Sequence, residues 1–265
     1  MNKWLLVLLL ALPLAACVGQ KEEPEDEGPD PGNYVPGGSE TGTVFYRRVL
    51  ALGFTATWCQ YCPLMSQAIA DASALRPDRI IPLSVHYMDE LSPEEATPLS
   101  EAFGIFDYPS LIMDWNASLL SGGKDADYLV SYVDDALKTQ PCGLAASAAV
   151  TDGTLSLEVK VKAVRNASYS VFAAWAQDDI TVSQQAGYGP GYHCQAVLRG
   201  FLSPGTGGKD LGALQGGAEA TASFSAPARE DGSYLVICAL EDGVACNALK
   251  LAQNETNKYT YEKEN

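Results

Sequence analysis

The chain has 265 residues, of which 47% are hydrophobic, so it is long enough for two ordinary domains with packed cores. This hydrophobic content excludes a globally disordered protein. The net charge of −16 argues against nucleic-acid binding, which requires a basic face, and against electrostatic adsorption to anionic lipid. Any membrane association must therefore come from a covalent or apolar anchor.

The N-terminus, residues 1–16, has the pattern of a lipoprotein signal peptide. Lys3 precedes an apolar run from Trp4 to Leu12 that is too short to span a bilayer and is typical of secretory signals. Leu14-Ala15-Ala16-Cys17 resembles a lipobox, which implies lipidation of Cys17 and stable anchoring through its acyl chains. The alternative is an ordinary signal peptide that is cleaved after Ala16.

Residues 17–42 are expected to form a lipidated, disordered tether. Prolines, glycines and acidic side chains dominate this stretch, and like charges keep such a segment extended. Lys21-Glu22-Glu23 resembles the export signals of some surface-displayed Gram-negative lipoproteins. The resemblance implies an outer-membrane location, with the outer face favoured over the periplasmic face.

A Cys-x-x-Cys motif follows a strand predicted from Thr43 to Phe54 and precedes a helical pattern from Leu64 to Leu75. A cysteine at a helix N-terminus meets unpaired N–H groups and the positive end of the helix dipole. We therefore expect Cys59 to have a lowered pKa and to act as the nucleophile. Cys62, one turn further on, is placed to resolve a mixed disulfide. A static Cys59–Cys62 disulfide or half of a metal site is the alternative.

A second motif lies in residues 103–112, where a glycine-marked turn precedes Pro109 and an apolar strand. Together, the two motifs resemble a thioredoxin-like domain that covers residues 43–140. The resemblance implies a cis Pro109 that faces the disulfide. It further implies that Tyr108 and Pro109 shape a substrate-binding groove and that Trp58 covers the disulfide. Gly53 departs from the family, whose members usually carry a buried acid there, so the proton acceptor is absent or supplied elsewhere.

The remainder of this α/β domain is predicted to alternate strands and helices. The predicted elements are a strand at Ile80–Tyr87 parallel to the first, a helix starting at Ser92–Glu95, a hairpin of Leu111–Trp115 with Ser118–Leu120, and a helix at Asp125–Lys138. His86 ends the second strand. It is either a general base near the cysteines or a hydrogen-bonded strand-end residue.

Residues 141–254 change to short alternating runs separated by turns, which predicts an all-β, immunoglobulin-like sandwich. The predicted strands are Leu144–Thr151, Leu155–Val164, Ser168–Gln177, Cys194–Phe201, Ala218–Ser225, Tyr234–Leu240 and Val244–Leu251. The glycine-rich stretch from Gly205 to Gly217 is expected to be a mobile loop, and residues 255–265 a flexible tail. His193 beside Cys194 is a possible metal pair, but without a further ligand cluster a structural role is preferred, and we expect neither metal nor cofactor.

Without Cys17 the chain keeps an even number of cysteines, as expected of an exported protein with disulfides. If Cys59 and Cys62 pair, four cysteines remain and three connectivities are possible. Cys238 and Cys246 flank a predicted Glu241-Asp242-Gly243 turn, which would place them opposite each other across a hairpin. A Cys142–Cys194 disulfide would complete the set.

The order of these segments resembles the Omp twenty-eight-related outer-membrane lipoproteins of Gram-negative bacteria. Within the sandwich, the resemblance rests on His193-x-x-x-Val197-Leu198-Arg199 and Val244-x-x-Asn247-Ala248. It implies a location and a domain order more than an activity. One hypothesis is thiol–disulfide exchange with the thiols or disulfides of exported proteins. The other is a surface binding or adhesion module in which Cys59–Cys62 is structural.

Overall fold

A computed structural model describes residues 38–123, 125–184, 188–229 and 231–263. The predicted signal peptide, the lipidation site Cys17 and most of the predicted tether lie outside the described residues. Among the residues that are described, the helices are all too short or too polar to cross a bilayer.

The elements predicted between residues 43 and 140 occur in the predicted order. In the described ranges, the α-helices are α1 (Cys62–Leu75), α2 (Ala96–Phe103) and α3 (Ala126–Ala136). The strands of this half are β1 (Val49–Thr55), β2 (Ile80–His86), β3 (Ser110–Met113) and β4 (Leu120–Ser121). β1 and β2 are parallel, as predicted, and β3 pairs antiparallel with β1.

β1 is buried on both of its faces. Successive side chains of a strand point to opposite sides, so Val49 and Ala51 pack with α1 and α3, whereas Leu50 and Leu52 pack with α2. α2 ends at Gly104, whose left-handed φ of +63° is readily adopted only by glycine. The burial of β1 explains why its sequence is a continuous apolar run.

The second half contains more strands than predicted. They are β5 (Gly143–Thr151), β6 (Thr154–Lys162), β7 (Ala167–Gln177), β8 (Ile180–Gln184), β9 (Gly189–Cys194), β10 (Val197–Phe201), β11 (Lys209–Leu214), β12 (Glu219–Pro227), β13 (Tyr234–Glu241), β14 (Val244–Leu251) and β15 (Thr256–Asn257). The expectation of a mobile loop from Gly205 to Gly217 is wrong, because this stretch contains β11. Glycine is rare in strands, so the composition of this stretch does not predict one. The stretch is ordered by backbone pairing of β11 with β7.

One sheet runs through both halves of the chain. β10 pairs antiparallel with β7 and parallel with β2, where the N–H of Ser84 donates to the carbonyl of Ala196 at 2.7 Å. Within the described ranges this gives nine strands, in the order β14-β13-β7-β10-β2-β1-β3-β4 with β11 also on β7. The sheet therefore continues across the boundary predicted at residue 141.

A second sheet, in the order β12-β6-β5-β15, covers part of the first. β6 alternates exposed and buried residues, and its buried Leu155, Leu157 and Val159 pack against Val171 and Trp175 of β7. The second half is therefore predominantly β, with two packed layers. Its finer assignment as an immunoglobulin-like sandwich stays a prediction.

The C-terminal residues are ordered by long-range contacts, contrary to the predicted flexible tail. β15 pairs with β5, and the N–H of Tyr46 donates to the carbonyl of Thr260 at 2.8 Å. The two carboxylate oxygens of Glu262 each accept a hydrogen bond of 2.7 Å from Arg79. The sequence of this segment is short and polar, so local patterns do not reveal an ion pair to a residue more than 180 positions earlier.

Glu262→Gln should lower the free energy of unfolding by about 1–3 kcal/mol, because a neutral amide would replace the carboxylate beside the buried Arg79. Burial opposes ionisation of Glu262, but the bonds from Arg79 and from the N–H of Arg47 outweigh it and lower the pKa. This stabilisation is present above about pH 4.3 and is lost as the pH falls through the lower folded pKa.

Urea unfolding of the wild type and the variant at neutral and acidic pH measures this contribution. Glu158→Gln is the control, since the solvent-exposed pair of Glu158 with Lys160 should contribute less than about 1 kcal/mol. Equal stability of Glu262→Gln and wild type at pH 7 would contradict the structural role of the C-terminal segment.

Candidate active site

The centre of the site is a disulfide between Cys59 and Cys62, which confirms the predicted pairing. Both cysteines are buried, with Cys59 4% and Cys62 1% exposed. α1 begins at Cys62, and Cys59 lies in the turn that joins β1 to α1. The sequence predicts Cys59 at the helix N-terminus, but the first helical residue is the second cysteine. The positive end of the α1 dipole therefore lies beside Cys62.

Tyr108 and Pro109 lie at the same end of the sheet as the disulfide. The Tyr108–Pro109 peptide bond is cis, as the resemblance to thioredoxin-like domains implies. The pairing of Phe54 with Ser110 brings the start of β3 to the end of β1, next to the cysteine turn. Tyr108 packs against the small buried cluster that contains both cysteines. The structure thus brings together the catalytic and substrate-binding residues that the sequence predicts.

Aromatic rings flank the disulfide on one side. The ring of Tyr108 lies 5.5 Å from that of Trp58 and 5.4 Å from that of Tyr87, measured between centroids. The indole N–H of Trp58 donates to the carbonyl oxygens of Tyr87 and Met88. Burial raises the pKa of Tyr108, so its hydroxyl stays protonated at neutral pH. The sequence analysis identified Trp58 and Tyr108 but missed Tyr87, because the place of Tyr87 in the site depends on where β2 ends.

Large apolar side chains that are close in sequence to the cysteines or to Tyr108, or that contact Trp58, are exposed to solvent. They are Trp58 (41% exposed), Tyr61 (53%), Leu64 (47%), Met88 (73%) and Phe106 (90%). All five lie within three residues of a cysteine or of Tyr108, or contact Trp58. Exposed apolar side chains concentrated at one place are typical of a surface that binds another molecule.

Gly53 lacks the buried acid that thioredoxins usually carry. A Cβ atom at this position would lie 3.0 Å from Cε of Met65 and 3.8 Å from Cδ1 of Ile69. The terminal methyl of Met65 thus packs against the position from which an acidic side chain would project. The proton acceptor expected from the family is missing at this position.

A different carboxylate, that of Asp89, contacts the cysteine turn. Its Oδ2 accepts a hydrogen bond of 2.7 Å from the N–H of Thr57 and lies 2.8 Å from Nδ1 of His86, while its Oδ1 accepts from the N–H of Leu91. Burial opposes ionisation of Asp89, but the bond and charge of His86 and these N–H groups outweigh it and lower the pKa.

Asp89 is therefore ionised at neutral pH and holds the turn two residues before Cys59. His86 is 3% exposed and its Nδ1 is hydrogen-bonded to Asp89, which fits the strand-end alternative. A role of His86 as a general base stays a prediction. The carboxylate of Asp89 also accepts hydrogen bonds from the nearby Leu91 and Ser92. The Asp89-x-x-Ser92 pattern is therefore the sequence signal that could have identified Asp89 as a residue that holds this turn.

The hairpin of β8 and β9 reaches the cysteine turn from the other half of the chain. Nε2 of Gln184 donates to the carbonyl of Ala56 at 3.4 Å, and the hydroxyl of Tyr192 lies near the side chain of Ser66 in α1. Burial raises the pKa of Tyr192, so this hydroxyl also stays protonated. Neither strand was predicted, and these two contacts were therefore missed.

His193 and Cys194 do not face a common site. His193 lies at the surface with Nδ1 2.6 Å from Oδ1 of Asp179, whereas Cys194 is buried beside Leu91 and Val182. This divergence follows from the alternation of side chains along a strand. No cluster of three or more potential metal ligands occurs among the residues that the structure describes.

The two further predicted disulfides, Cys238–Cys246 and Cys142–Cys194, are not formed, and these cysteines are free thiols. Cys238 faces Ala248 rather than Cys246 for two reasons: Glu241 pairs with Val244, so the turn has two residues instead of three, and the register then shifts by one residue next to Ala239. Cys142 and Cys194 belong to different buried clusters. The hairpin geometry assumed from the sequence included neither the shorter turn nor the bulge.

No protein-family model and no curated protein sequence matches this chain. HBP35 of Porphyromonas gingivalis has a similar structure, with a TM-score of 0.63 over 85% of this chain and 80% of its own, at 18% identity. Protein AGR_C_4864 of Agrobacterium tumefaciens has a TM-score of 0.56 over 79% of this chain and 96% of its own, at 16% identity. At these identities the likeness concerns the fold alone, and it supports a thioredoxin-like fold.

Asp89→Asn should lower the free energy of unfolding by about 1–3 kcal/mol at pH 7, because the charged acceptor for Thr57 and His86 is lost. The folded pKa of Asp89 is lowered, so this stabilisation is present above about pH 3.9 and is lost as the pH falls further. A looser turn should also let dithiothreitol reduce Cys59–Cys62 faster.

Urea unfolding and timed thiol alkylation measure the two effects. Asp71→Asn is the control, because Asp71 lies on the exposed face of α1 and bonds only to Gln67 among the contacts described for it. Its effect on stability should stay within about 0.5 kcal/mol. If Asp89→Asn keeps the stability and the reduction rate of the wild type, the hydrogen bonds of Asp89 do not support the site.

Proposed function

We propose that the protein catalyses thiol–disulfide exchange with exported proteins, as a lipid-anchored component of the cell envelope. The observation that carries this proposal is the position of the Cys59–Cys62 disulfide, between the N-terminus of α1 and the cis Tyr108–Pro109 segment. This arrangement places a reducible bond at a surface with exposed apolar side chains, as a protein substrate requires.

The exchange begins when a substrate thiolate attacks Sγ of Cys59, the more exposed of the two cysteines. The Cys59–Cys62 bond breaks, a mixed disulfide forms, and Cys62 leaves as a thiolate beside the positive end of the α1 dipole. A second substrate thiolate then attacks the substrate sulfur of the mixed disulfide and releases Cys59. Two electrons pass from the substrate dithiol to the cysteine pair, and the substrate leaves with a disulfide.

The glycine at position 53 favours this direction. In the reverse direction Cys62 must lose its proton to resolve a mixed disulfide, and the usual carboxylate acceptor is absent at Gly53. Oxidation or isomerisation of substrate cysteines is therefore the form of exchange that we propose, in preference to reduction.

The proposed location rests on the N-terminal sequence. The lipobox-like residues before Cys17 and the acidic tether support an anchored protein, and Lys21-Glu22-Glu23 supports the outer face of the outer membrane. Membership of the Omp twenty-eight-related lipoproteins is part of the same proposal, supported by the order of the segments and by the two motifs in the second half.

The second candidate function is a surface binding or adhesion lipoprotein whose Cys59–Cys62 bond is structural. The glycine at position 53, against which Met65 packs, favours this second function, because a cysteine pair without its usual proton acceptor can serve as a structural disulfide. The exposed Met88 and Phe106 would then contribute to a ligand-binding surface instead of a substrate groove.

With oxidised glutathione present to restore the Cys59–Cys62 disulfide after each cycle, Cys59→Ser should reduce the oxidation of a fluorogenic dithiol peptide to the rate without protein, because the attacked sulfur is absent. Cys62→Ser should accumulate a mixed disulfide between Cys59 and a disulfide substrate, because its resolving thiol is missing. Turnover is followed by fluorescence, and trapped complexes by non-reducing electrophoresis.

Cys194→Ala is the matched control, since burial together with the charges of Asp89 and Glu90 raises the pKa of this thiol to about 12. It should keep wild-type turnover. Unchanged turnover in Cys59→Ser would contradict exchange at this site, and ligand binding that survives loss of both cysteines would favour the second function.

A further inference from the structure

Two cysteines outside the candidate active site meet between the two sheets. Cys142, which immediately precedes β5, is 0% exposed and belongs to the core cluster between the sheets. Cys246 lies in β14, is half-buried and packs against the same cluster. Both side chains therefore contact one cluster, and the thiol of Cys246 is near enough to influence that of Cys142.

Local backbone geometry explains why these two thiols meet. The register of β13 with β14 pairs Ala239 with Asn247 and Leu240 with Ala245, so Cys246 has no direct partner on β13. The next residue, Asn247, is buried, and its Nδ2 donates to the carbonyl of Cys142 at 3.0 Å. This hydrogen bond holds the backbone of β14 beside the start of β5.

We propose that Cys142 and Cys246 form a second disulfide when the folded chain meets a disulfide oxidant, either oxidised glutathione or a protein disulfide. The more exposed Cys246 thiolate attacks the oxidant, which gives a mixed disulfide and one reduced thiolate. Cys142 then attacks Sγ of Cys246 and expels the second thiolate. Two electrons pass to the oxidant, and the two cysteine protons are released to water.

The surroundings of the pair determine its reactivity. Burial, followed by the contact with Cys246, raises the pKa of Cys142 well above the ordinary value for a thiol. Formation of the disulfide is therefore slow, and attack by external thiols on the buried sulfur is hindered. The remaining cysteines differ, because Cys194 lies among other residues and Cys238 has no cysteine opposite it.

The disulfide would join the two sheets covalently. It would connect the start of β5, in the four-stranded sheet, to β14, at the edge of the nine-stranded sheet of the described chain. The closed loop spans roughly 100 residues, for which the loss of unfolded-state entropy is large. The bond would therefore stabilise the contact between layers that buries the second core.

The direct test is disulfide mapping of the folded, full-length chain. The reduced protein is incubated with oxidised glutathione, free thiols are blocked with iodoacetamide, and the protein is digested. Trypsin alone leaves Cys238 and Cys246 on one peptide, so cleavage after Glu241 by a glutamyl endopeptidase is also required. The expected product links the peptides of Cys142 and Cys246, with Cys194 and Cys238 alkylated.

A stability measurement provides the second readout, in a Cys59→Ser/Cys62→Ser background that removes the other disulfide. Oxidation should raise the melting temperature by roughly 5–10 °C, and reduction should reverse the shift. Cys246→Ala should abolish the redox-dependent shift, whereas Cys238→Ala should retain it. The comparison is made within each variant, so a general loss of stability does not obscure it.

Either measurement can overturn the proposal. Full alkylation of Cys142 and Cys246 after oxidation of the folded wild type would exclude the bond. A Cys142–Cys194 or Cys238–Cys246 product would do the same. If Cys246→Ala does not fold, the mapping of the wild-type chain decides the outcome by itself.

Discussion

The parallel pairing of β10 with β2 is the contact on which the arrangement of the molecule depends. It is short, with one hydrogen bond of 2.7 Å from Ser84 to Ala196 and one register pair between Val197 and Ser84. Through it, the strands that carry the redox turn and the strands of the second half share one sheet and one core. Phe172 of β7 and Val236 of β13 pack in the same cluster as Leu52 of β1. Loss of this pairing would expose apolar faces on both halves of the chain, because the residues of each half cover the apolar face of the other.

The same connection explains how the second half supports the candidate site. The β8–β9 hairpin immediately precedes β10 in the chain. The pairing of β10 with β2 therefore also places Gln184 and Tyr192 of this hairpin close to the residues around the disulfide. From the other side, Asp89 holds the N–H of Thr57. The turn that carries Cys59 is thus restrained by contacts from β2's end and from the hairpin. Such restraint fixes the accessible sulfur relative to Tyr108, which a specific exchange reaction requires.

Local patterns predicted the elements of the first half well, because β1 is a continuous apolar run, α1 repeats apolar residues at helical spacing, and the cysteine motif lies between them. The bond of Asp89 to Thr57 and the partners of Gln184 and Glu262 were not predictable, since each of these contacts depends on tertiary packing that joins different elements. Glycines concealed β11, and a two-residue turn followed by a β-bulge invalidated the expected pairing of Cys238 with Cys246. The missing acid at Gly53 was visible in the sequence, whereas the contact of Met65 with this position depends on the packing of α1.

The most direct test of an active dithiol is a thiol-trapping redox titration of the full chain, in which mass spectrometry monitors the Cys59–Cys62 peptide. Alanine replacements of Cys142 and Cys246 remove any second disulfide from the measurement. We expect a reduction potential between about −120 and −270 mV, the range of proteins that exchange disulfides. A potential below about −300 mV would identify a structural bond and contradict the proposed exchange activity.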